Sequence, residues 1–265
     1  MITLTRILIP IAFSPSCAWA AQYGAQLALR FGSELLFLHI GNCPRETVEV
    51  FLGPAVKDNP YEIAIRPGDP ADTVAQFARE TSPSLIVMPT HAHGRFRRFL
   101  LGSVTAKVLH DVDCPVLTGI HRDGVPLPLQ ADFHQIVCAV DTDRAFGPVI
   151  RGALEFTALF NAALAVIHAV PAADEISDNP GEVEVRKYLF RAAEEKFVHL
   201  KREAKVDVGI SLAGGAVSTV VREAALRAGA DLVVIGRGQT QRDLGRLRTH
   251  AYSIIRHSPC PVLSI

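Results

Sequence analysis

The sequence predicts two α/β domains joined head to tail, each with a parallel five-stranded sheet and helices on both faces. Three observations lead to this prediction. Apolar blocks of the first half recur in the same order in the second half. The blocks are short continuous apolar runs bounded by turn residues, and helical patterns lie between them. Such runs are typical of parallel strands that are buried on both faces.

Four pairs of blocks carry the internal repeat. The matching residues are 6–11 with 135–140, 34–40 with 163–169, 84–89 with 231–236, and 113–117 with 259–263. Their common order and similar spacing indicate a duplicated domain. The intervening segment contains Gly124, Pro126 and Pro128 and has no periodicity. We therefore expect domains at residues 1–120 and 134–265, with a linker at 121–133.

Helical patterns separate the predicted strands. Residues 18–31 are rich in Ala, Leu and Gln and stop at Gly32, a common helix terminator. Asp69 and Pro70 are placed to cap and open a second helix. Residues 102–110 are predicted to form a third helix, and the pattern of residues 182–205 indicates an amphipathic helix with a solvated face. Alternating strands and helices predict right-handed crossovers.

The charge balance and the cysteine content indicate which binding partners and which cellular compartment to expect. The 27 basic residues balance the 27 acidic ones, which argues against nucleic acid or an anionic membrane as the main partner. No apolar stretch reaches the ~18 residues that cross a bilayer. The five cysteines are scattered and form no CxxC pair, as expected in a reducing compartment. We therefore expect a cytoplasmic protein.

The N-terminus imitates a short secretory signal, with an apolar run after Arg6 and a small-residue site around Trp19. Pro10 interrupts the run, and the same pattern recurs inside the chain, where no signal peptide could lie. We interpret the run as the first β-strand.

The ligand position follows from the predicted sheets. Ligands of open parallel sheets bind outside the carboxyl ends of the strands, where the strand order reverses. Those ends are residues 12–14 and 141–143 after the first strand of each half, and the residues from Met88 and Ile235 onward after the fourth. In the first half this fourth-strand loop enters a helix at Gly102-Ser103. The amide groups of a first helical turn bind phosphate readily.

These residues resemble the universal stress protein signature, which is Gly-x-x-Gly, nine residues, Gly-Ser, a helix and a Cys-Pro-Val strand. The loop 88–104, the later 114–116 and the strand at 34–40 carry the resemblance, which covers nearly the whole chain in two copies. It implies the sheet order 3-2-1-4-5 and a stress-response regulator. Some members bind ATP, with Mg²⁺ as a possible companion, and others bind no nucleotide. It also implies that the two copies pair as a dimer within one chain, about a pseudo-twofold axis; a further homodimer is left open.

In the family's nucleotide binders, the strand-one Asp lies near the adenosine and the glycine loop surrounds the phosphates. Carried onto this sequence, the resemblance implies nucleotide contacts at Ile40, Met88, Ala92, Gly102, Ser103 and Val104 in the first half, and at Asp141, Ala169, Ile235, Gly236 and Thr249 in the second.

Both halves depart from the binding pattern. In the first, Ala12 replaces the strand-one Asp, and Pro89 and Ala92 replace the loop glycines; proline has no amide hydrogen to donate. In the second, Gln239 replaces one glycine and Arg248 precedes Thr249 in place of Gly-Ser. Arginines could meet phosphate charge there instead of backbone amides, and those available are Arg237, Arg242, Arg246 and Arg248.

Several of these residues have both a ligand-binding and a structural interpretation. Asp141 contacts a nucleoside or caps the following helix, and Gly102-Ser103 binds phosphate or forms a plain N-cap. His39 and its counterpart His168 are structural histidines or line the cleft. His91 and His93 have no recognisable third and fourth ligand, so we expect no metal site.

Enzyme motifs are missing from the sequence. It contains no Walker loop, no GxSxG elbow and no HExxH helix. The Ser-Gly-Gly loop of ATP pyrophosphatase-like enzymes is replaced by residues 13–16, and a weak ATPase would need a base and a metal ligand that the sequence does not indicate. We expect a non-catalytic regulator that responds to adenine nucleotide and acts on an unidentified protein partner. The alternative is a nucleotide-free, dimer-like interaction scaffold.

Overall fold

The structure, a computed structural model, describes residues 3–53, 55–56, 59–90, 101–119, 131–143, 145–170, 180–237 and 247–265; of 247–249 only the backbone is described. The chain divides into two compact units, Met1–Asp132 and Phe133–Leu263, with Ile265 belonging to the second. In the described part of the chain, no helix is both long enough and apolar enough to span a bilayer.

Strands and helices alternate along the first unit. Its elements are β1 (Arg6–Ile11), α1 (Pro15–Phe31), β2 (Glu34–Ile40), α2 (Arg45–Leu52), β3 (Tyr61–Arg66), α3 (Pro70–Thr81), β4 (Leu85–Met88), α4 (Ser103–Asp111) and β5 (Val116–Thr118).

The second unit repeats this sequence of elements. They are β6 (Gln135–Ala139), α5 (Phe146–Phe160), β7 (Ala163–Val170), α6 (Pro180–Ala204), β8 (Ile210–Gly214), α7 (Val217–Ala228), β9 (Leu232–Ile235), α8 (Leu247–His257) and β10 (Val262–Ser264).

The sheet order confirms the predicted topology. The first unit has the order β3-β2-β1-β4-β5, and the second has β8-β7-β6-β9-β10. The pairs of β1 with β2 and β4, and of β6 with β7 and β9, are parallel. Numbered within each unit, both sheets read 3-2-1-4-5. The strand order therefore reverses between the first and fourth strands of each unit.

The central strands form the core of each sheet. In β1 the side chains of Ile7, Leu8 and Ile9 are completely buried, and every residue of β4 and β9 is buried. Burial on both faces explains why these strands appear in the sequence as continuous apolar runs. The edge strands β3 and β8 are only partly buried, so their sequences lack such a run.

Helix ends follow ordinary capping rules. Asp69 accepts hydrogen bonds from two first-turn amides of α3 and Pro70 opens the helix, as predicted. The predicted start of α1 at residue 18 is wrong by three residues. Ser14 accepts the Cys17 amide at 3.2 Å, and this cap starts the helix at Pro15. The helix ends at Gly32 with φ of 65°, a left-handed conformation that favours glycine.

In each unit, a side chain just before the fourth strand binds the backbone at the start of the first strand. In the first unit, the Ser84 hydroxyl accepts from the Arg6 amide at 3.1 Å and donates to the Arg6 carbonyl at 2.8 Å. In the second, the Asp231 carboxylate accepts the amides of His134 at 2.7 Å and Gln135 at 3.1 Å. Two chemically different side chains therefore bind the strand entry in equivalent places.

The last residues of the predicted linker lie within the two units. Gln26 of α1 accepts the Ala131 amide at 2.9 Å, and Arg30 pairs with Asp132 at 2.5 Å. Phe133 is buried in the second unit, with its ring centroid 4.7 Å from that of Phe160. Residues 121–130 of the predicted linker lie outside the described residues.

Candidate functional site

A cleft of about 130 Å³ lies in the second unit at the reversal of strand order. The ends of β6, β7 and β9, the loop into α5, and the starts of α7 and α8 surround it. Open parallel sheets bind ligands at this point because connections leave the neighbouring strand ends in opposite directions. The lining residues used below are Val140, Asp141, Asp143, Val149, His168, Ala169, Ile235, Gly236, Arg237 and His250.

Asp141 supplies an exposed carboxylate at the end of β6. Its Oδ1 accepts the amide of Thr142 at 2.7 Å. The next carboxylate, Asp143, accepts the amide of Ala145 at 2.9 Å, just before α5 begins at Phe146. The N-cap of α5 is Ala145 and no side chain caps the first turn, so Asp141 does not cap this helix. Asp141 remains at the cleft wall, where a ligand donor can reach it.

His168 joins the ends of the first two strands of this unit. Its Nδ1 lies 2.9 Å from the carbonyl oxygen of Val140, and the counterpart His39 lies 3.2 Å from that of Ile11. A carbonyl oxygen only accepts, so Nδ1 carries the proton in both histidines. Both side chains are buried. His168 also lines the cleft, so it combines the two roles that the sequence left open.

Gly236 allows α5 to approach the end of β9. A Cβ atom added at Gly236 would lie only 2.6 Å from Cγ2 of Val149, a residue that is 4% exposed. A valine methyl group cannot move away cheaply, because branching at Cβ restricts its rotation. Glycine is therefore required here by close packing rather than by backbone conformation.

Basic side chains also line the cleft. Arg237 follows Gly236, and His250 lies in the first turn of α8 with an exposed side chain. Of the four arginines considered for phosphate, Arg237 lines the cleft; the side chains of the other three lie outside the described residues. The sequence reasoning did not name His250. Its place directly after Thr249, where the first half has Val104, was the signal that could have found it.

In the first unit the predicted contacts lie at the ends of β2 and β4 and at the start of α4. Ile40 ends β2 and Met88 ends β4, on either side of β1. The amide of Gly102 donates to the carbonyl of Thr90 at 2.9 Å, which brings the start of α4 to the end of β4. Gly102 is the N-cap of this helix, so no side chain caps its first turn, and Ser103 and Val104 follow. Ala92 lies outside the described residues.

The end of β1 offers different chemistry from the end of β6. Ala12 stands where Asp141 stands, and its amide donates to the Cys17 sulfur at 3.3 Å. Phe13 is 42% exposed, and its ring centroid lies 4.7 Å from that of His39 and 5.5 Å from that of Phe51. An aromatic and apolar surface therefore replaces the carboxylate in this unit.

In the second unit, the predicted contacts Asp141, Ala169, Ile235 and Gly236 all line the one cleft. Thr249 lies in the first turns of α8, where only the backbone is described. Sequence positions up to 95 residues apart therefore meet in one site, because the parallel strand ends share one edge of the sheet.

Three of the five cysteine thiols are buried in a way that disfavours nucleophilic chemistry. Burial raises the pKa of Cys138 and of Cys260 to about 12 and also raises the pKa of Cys17. The thiolate is the nucleophile, so these groups stay unreactive near neutral pH. Among the described residues there is also no cluster of three or more His, Cys, Asp or Glu side chains that could hold a metal ion.

Fold and cleft together define a tandem open-sheet α/β protein with a cleft at a strand-order reversal. The model of the universal stress protein family matches residues 53–118 and 132–265, which is most of the chain. The chain belongs to the universal stress protein family, as the sequence resemblance predicted.

Comparison with individual proteins agrees with this membership. A Synechocystis universal stress protein is 27% identical over 122 residues, which cover 44% of this chain and 42% of the relative. The aligned part thus spans less than half of that relative's length. A functionally unknown Pseudomonas aeruginosa protein has a TM-score of 0.67 at 17% identity, covering 99% of this chain and 92% of its own. An Archaeoglobus fulgidus universal stress protein has a TM-score of 0.64 at 19% identity, covering 98% and 95%. These structures share the fold along the whole chain.

A shorter universal stress protein from Arabidopsis thaliana was solved with AMP bound. It is 21% identical, covers 43% of this chain and 89% of its own, and has a TM-score of 0.34. The nucleotide is a property of that protein.

Proposed function

We propose that this chain is a non-catalytic regulator of the stress response that binds one adenine nucleotide, in the cleft of the second unit. The observation that carries the proposal is the meeting of Asp141, Ala169, Ile235 and Gly236 at the strand-order reversal. Family membership supplies the stress-response context.

The apolar part of the cleft lining suits the base of such a ligand. Val140, Ala169 and Ile235 provide apolar walls for a base. The remainder of the ligand would extend toward Arg237 and the start of α8.

Asp141 gives the site its polar anchor. A carboxylate has acceptor capacity for several donors, and the Thr142 amide uses part of it. Ribose hydroxyl groups are suitable donors for the rest. Hydrogen bonds to a charged group contribute about 1.5–3 kcal/mol, so loss of this carboxylate should weaken binding at least tenfold.

One site per chain follows from the difference between the units. The first unit has Ala12 in place of the carboxylate and Pro89, which lacks an amide hydrogen, in place of Gly236. It retains the uncapped helix start at Gly102, but this feature recognises an anion and not a nucleoside. We expect the first unit to serve as a structural partner.

Regulation in this proposal works through population shift. Bound nucleotide stabilises one conformation of the segments around the cleft, and a protein partner recognises that conformation. The absence of Walker, GxSxG and HExxH motifs from the sequence supports a non-catalytic role.

Isothermal titration calorimetry with ATP and magnesium tests the proposal. We expect a stoichiometry of one nucleotide per chain, at least tenfold weaker binding by Asp141→Ala, and unchanged binding by the matched first-unit variant Ser103→Ala. Absence of binding heat, together with no nucleotide released when the purified protein is denatured, would contradict the proposal. That result would favour the nucleotide-free scaffold, for which Ala12 and Pro89 are the supporting observations.

A further inference from the structure

Helix α6 of the second unit is much longer than its counterpart in the first. It has 25 residues, whereas α2, the helix after the second strand of the first unit, has 8. At 1.5 Å per residue the two helices are about 37 Å and about 12 Å long. The structure describes all of α6, and of its residues Ala193 and Phe197 are buried. The partly buried Leu189 and Phe190 pack against a cluster that contains Ala193. Packing on the sheet therefore accounts for the middle of this helix and not for its whole length.

The face of α6 opposite Ala193 and Phe197 carries a regular stripe of exposed side chains. Successive members are four, three, four, three and four positions apart, which is the spacing of residues along the seam between two paired helices. Two members are large apolar groups, Tyr188 at 70% exposure and Val198 at 53%, and the other four are charged. The α6 stripe consists of Glu184, Tyr188, Arg191, Glu195, Val198 and Arg202, all of them exposed.

The α6 stripe is complementary to itself when it is read in the opposite direction. If two copies of α6 lie antiparallel with their centres at residue 193, each charged member faces the opposite charge and each apolar member faces the other apolar one. The facing pairs are Glu184 with Arg202, Tyr188 with Val198, and Arg191 with Glu195. A twofold axis makes each pair occur twice, as in every interface between identical surfaces.

The charges of the stripe favour this direction over the parallel one. Parallel pairing would place each of the four charged residues against its own copy, and facing like charges disfavour association. Antiparallel pairing also brings the positive end of each helix dipole to the negative end of the other. Glu184 accepts a hydrogen bond from Lys187 of its own helix through Oε1, at 3.1 Å. Its second carboxylate oxygen can accept from Arg202 of the other copy.

We propose that the α6 stripe is the contact surface between two copies of this chain, which pair antiparallel along this helix about a twofold axis. This inference goes beyond the proposed function and does not depend on nucleotide binding. The stripe has six residues a side, fewer than the about 20–30 of a standard interface. Like charges beside the seam, Glu194 with its own copy and Lys187 with Lys201, weaken the contact further. We therefore expect a dimer that dissociates in the micromolar range.

Sedimentation velocity without nucleotide, over concentrations from micromolar to near-millimolar, measures this association. Arg191→Glu puts a carboxylate opposite Glu195 at both copies of the pair and should weaken the dimer at least about tenfold. Combining Arg191→Glu with Glu195→Arg exchanges the two charges, so association should return to within about threefold of wild type. Arg227→Glu is the matched control. It makes the same charge change at an exposed residue of α7, a helix that packs against α8, and should leave association unchanged.

Tyr188→Ser tests the apolar pair without changing any charge, and we expect it to weaken the dimer about tenfold. Far-UV circular dichroism and thermal unfolding check that each variant is folded. A wild-type chain that stays monomeric throughout the concentration series would overturn the proposal. A dimer that neither Arg191→Glu nor Tyr188→Ser weakens would also overturn it, because the copies would then meet on another surface. If the folded charge-exchange variant does not regain association, the antiparallel pairing is wrong. None of these outcomes bears on nucleotide binding, so the proposed function is tested separately.

Discussion

The close contact between Gly236 and Val149 makes a sharp test of how the cleft is built. A Cβ atom at Gly236 would lie 2.6 Å from Cγ2 of Val149 and 4.0 Å from Cβ of Ala145. Gly236→Ala therefore forces a stiff, buried side chain or the start of α5 to move. Overpacking of this kind costs about 1–3 kcal/mol, and we expect the variant to lose about 2 kcal/mol of its free energy of unfolding.

A double-mutant cycle measures the contact itself. Val149→Ala alone removes two buried methyl groups, at about 0.8 kcal/mol each plus a cavity cost, for about 2 kcal/mol in total. In the double variant the added methyl at Gly236 enters the space that Val149 leaves. We therefore expect the combined loss to be smaller than the sum of the single losses by about 1–2 kcal/mol.

Urea unfolding followed by far-UV circular dichroism gives these free energies. The single tryptophan, Trp19, lies in the first unit, so its fluorescence reports separately on the unit that carries no substitution. Gly209→Ala is the matched control, because no heavy atom lies within 4 Å of its added Cβ; we expect a change within about 0.5 kcal/mol. Additive losses in the double variant would show that the contact with Val149 does not constrain Gly236, and would refute the reasoning.

Three further predictions concern the framework. Asp231→Ala removes the acceptor of two amides at the start of β6. Because the carboxylate is part-exposed, we expect the free energy of unfolding in urea to fall by about 1 kcal/mol. Asp231→Ser copies the first unit and should recover part of this loss; equal free energies of unfolding for the two variants would contradict the role of Asp231 as the acceptor of these amides. The thiols of Cys138 and Cys260, with pKa values of about 12, should resist iodoacetamide at pH 8 in the folded protein and react after unfolding. The folded state holds these protons more tightly than the unfolded state, where cysteine has a pKa of about 8.5, so the free energy of unfolding should fall as pH rises from about 8.5 toward 12. Rapid labelling of Cys138 and Cys260 in the folded protein, or a free energy of unfolding that does not change over this pH range, would count against buried thiols. Gly119→Ala places a Cβ 2.6 Å from the ring of Trp19, so we expect a loss of about 1–3 kcal/mol and a shifted emission maximum; unchanged emission would mean that the ring does not pack on this glycine.

The repeat and the central strands could be predicted because strands buried on both faces appear in the sequence as continuous apolar runs. Strands with both faces covered have to be apolar along their whole length, so β1, β4 and their counterparts β6 and β9 stand out as runs. The half-exposed edge strands β3 and β8 give no such signal, and their residues were not assigned in advance. The start of α1 was missed because the Ser14 cap is a side-chain contact, and hydrophobic periodicity does not report it.

The site residues at the strand ends could be predicted from the sequence, whereas those near the starts of the helices could not. Asp141 and Gly236 could be named from the repeat and the family pattern, since each directly follows an identifiable strand. The sequence could not decide whether Asp141 caps α5, because that depends on where the loop places its carboxylate; in the structure no side chain caps this helix. The repeat marks the position of His250, directly after Thr249 where the first half has Val104, but only packing shows that this histidine lines the cleft.

By itself the sequence determined the duplication, the alternation of strand and helix, and the loss of the strand-one carboxylate from the first half. Those features depend on which residues are present and in what order. Only the tertiary structure decided that Asp141 and His250 line the same cleft, that His168 both bonds to the end of β6 and lines the cleft, and that Val149 packs where a Cβ atom at Gly236 would lie. Each of these depends on distances between residues far apart in the chain, and such distances are fixed by packing rather than by local pattern.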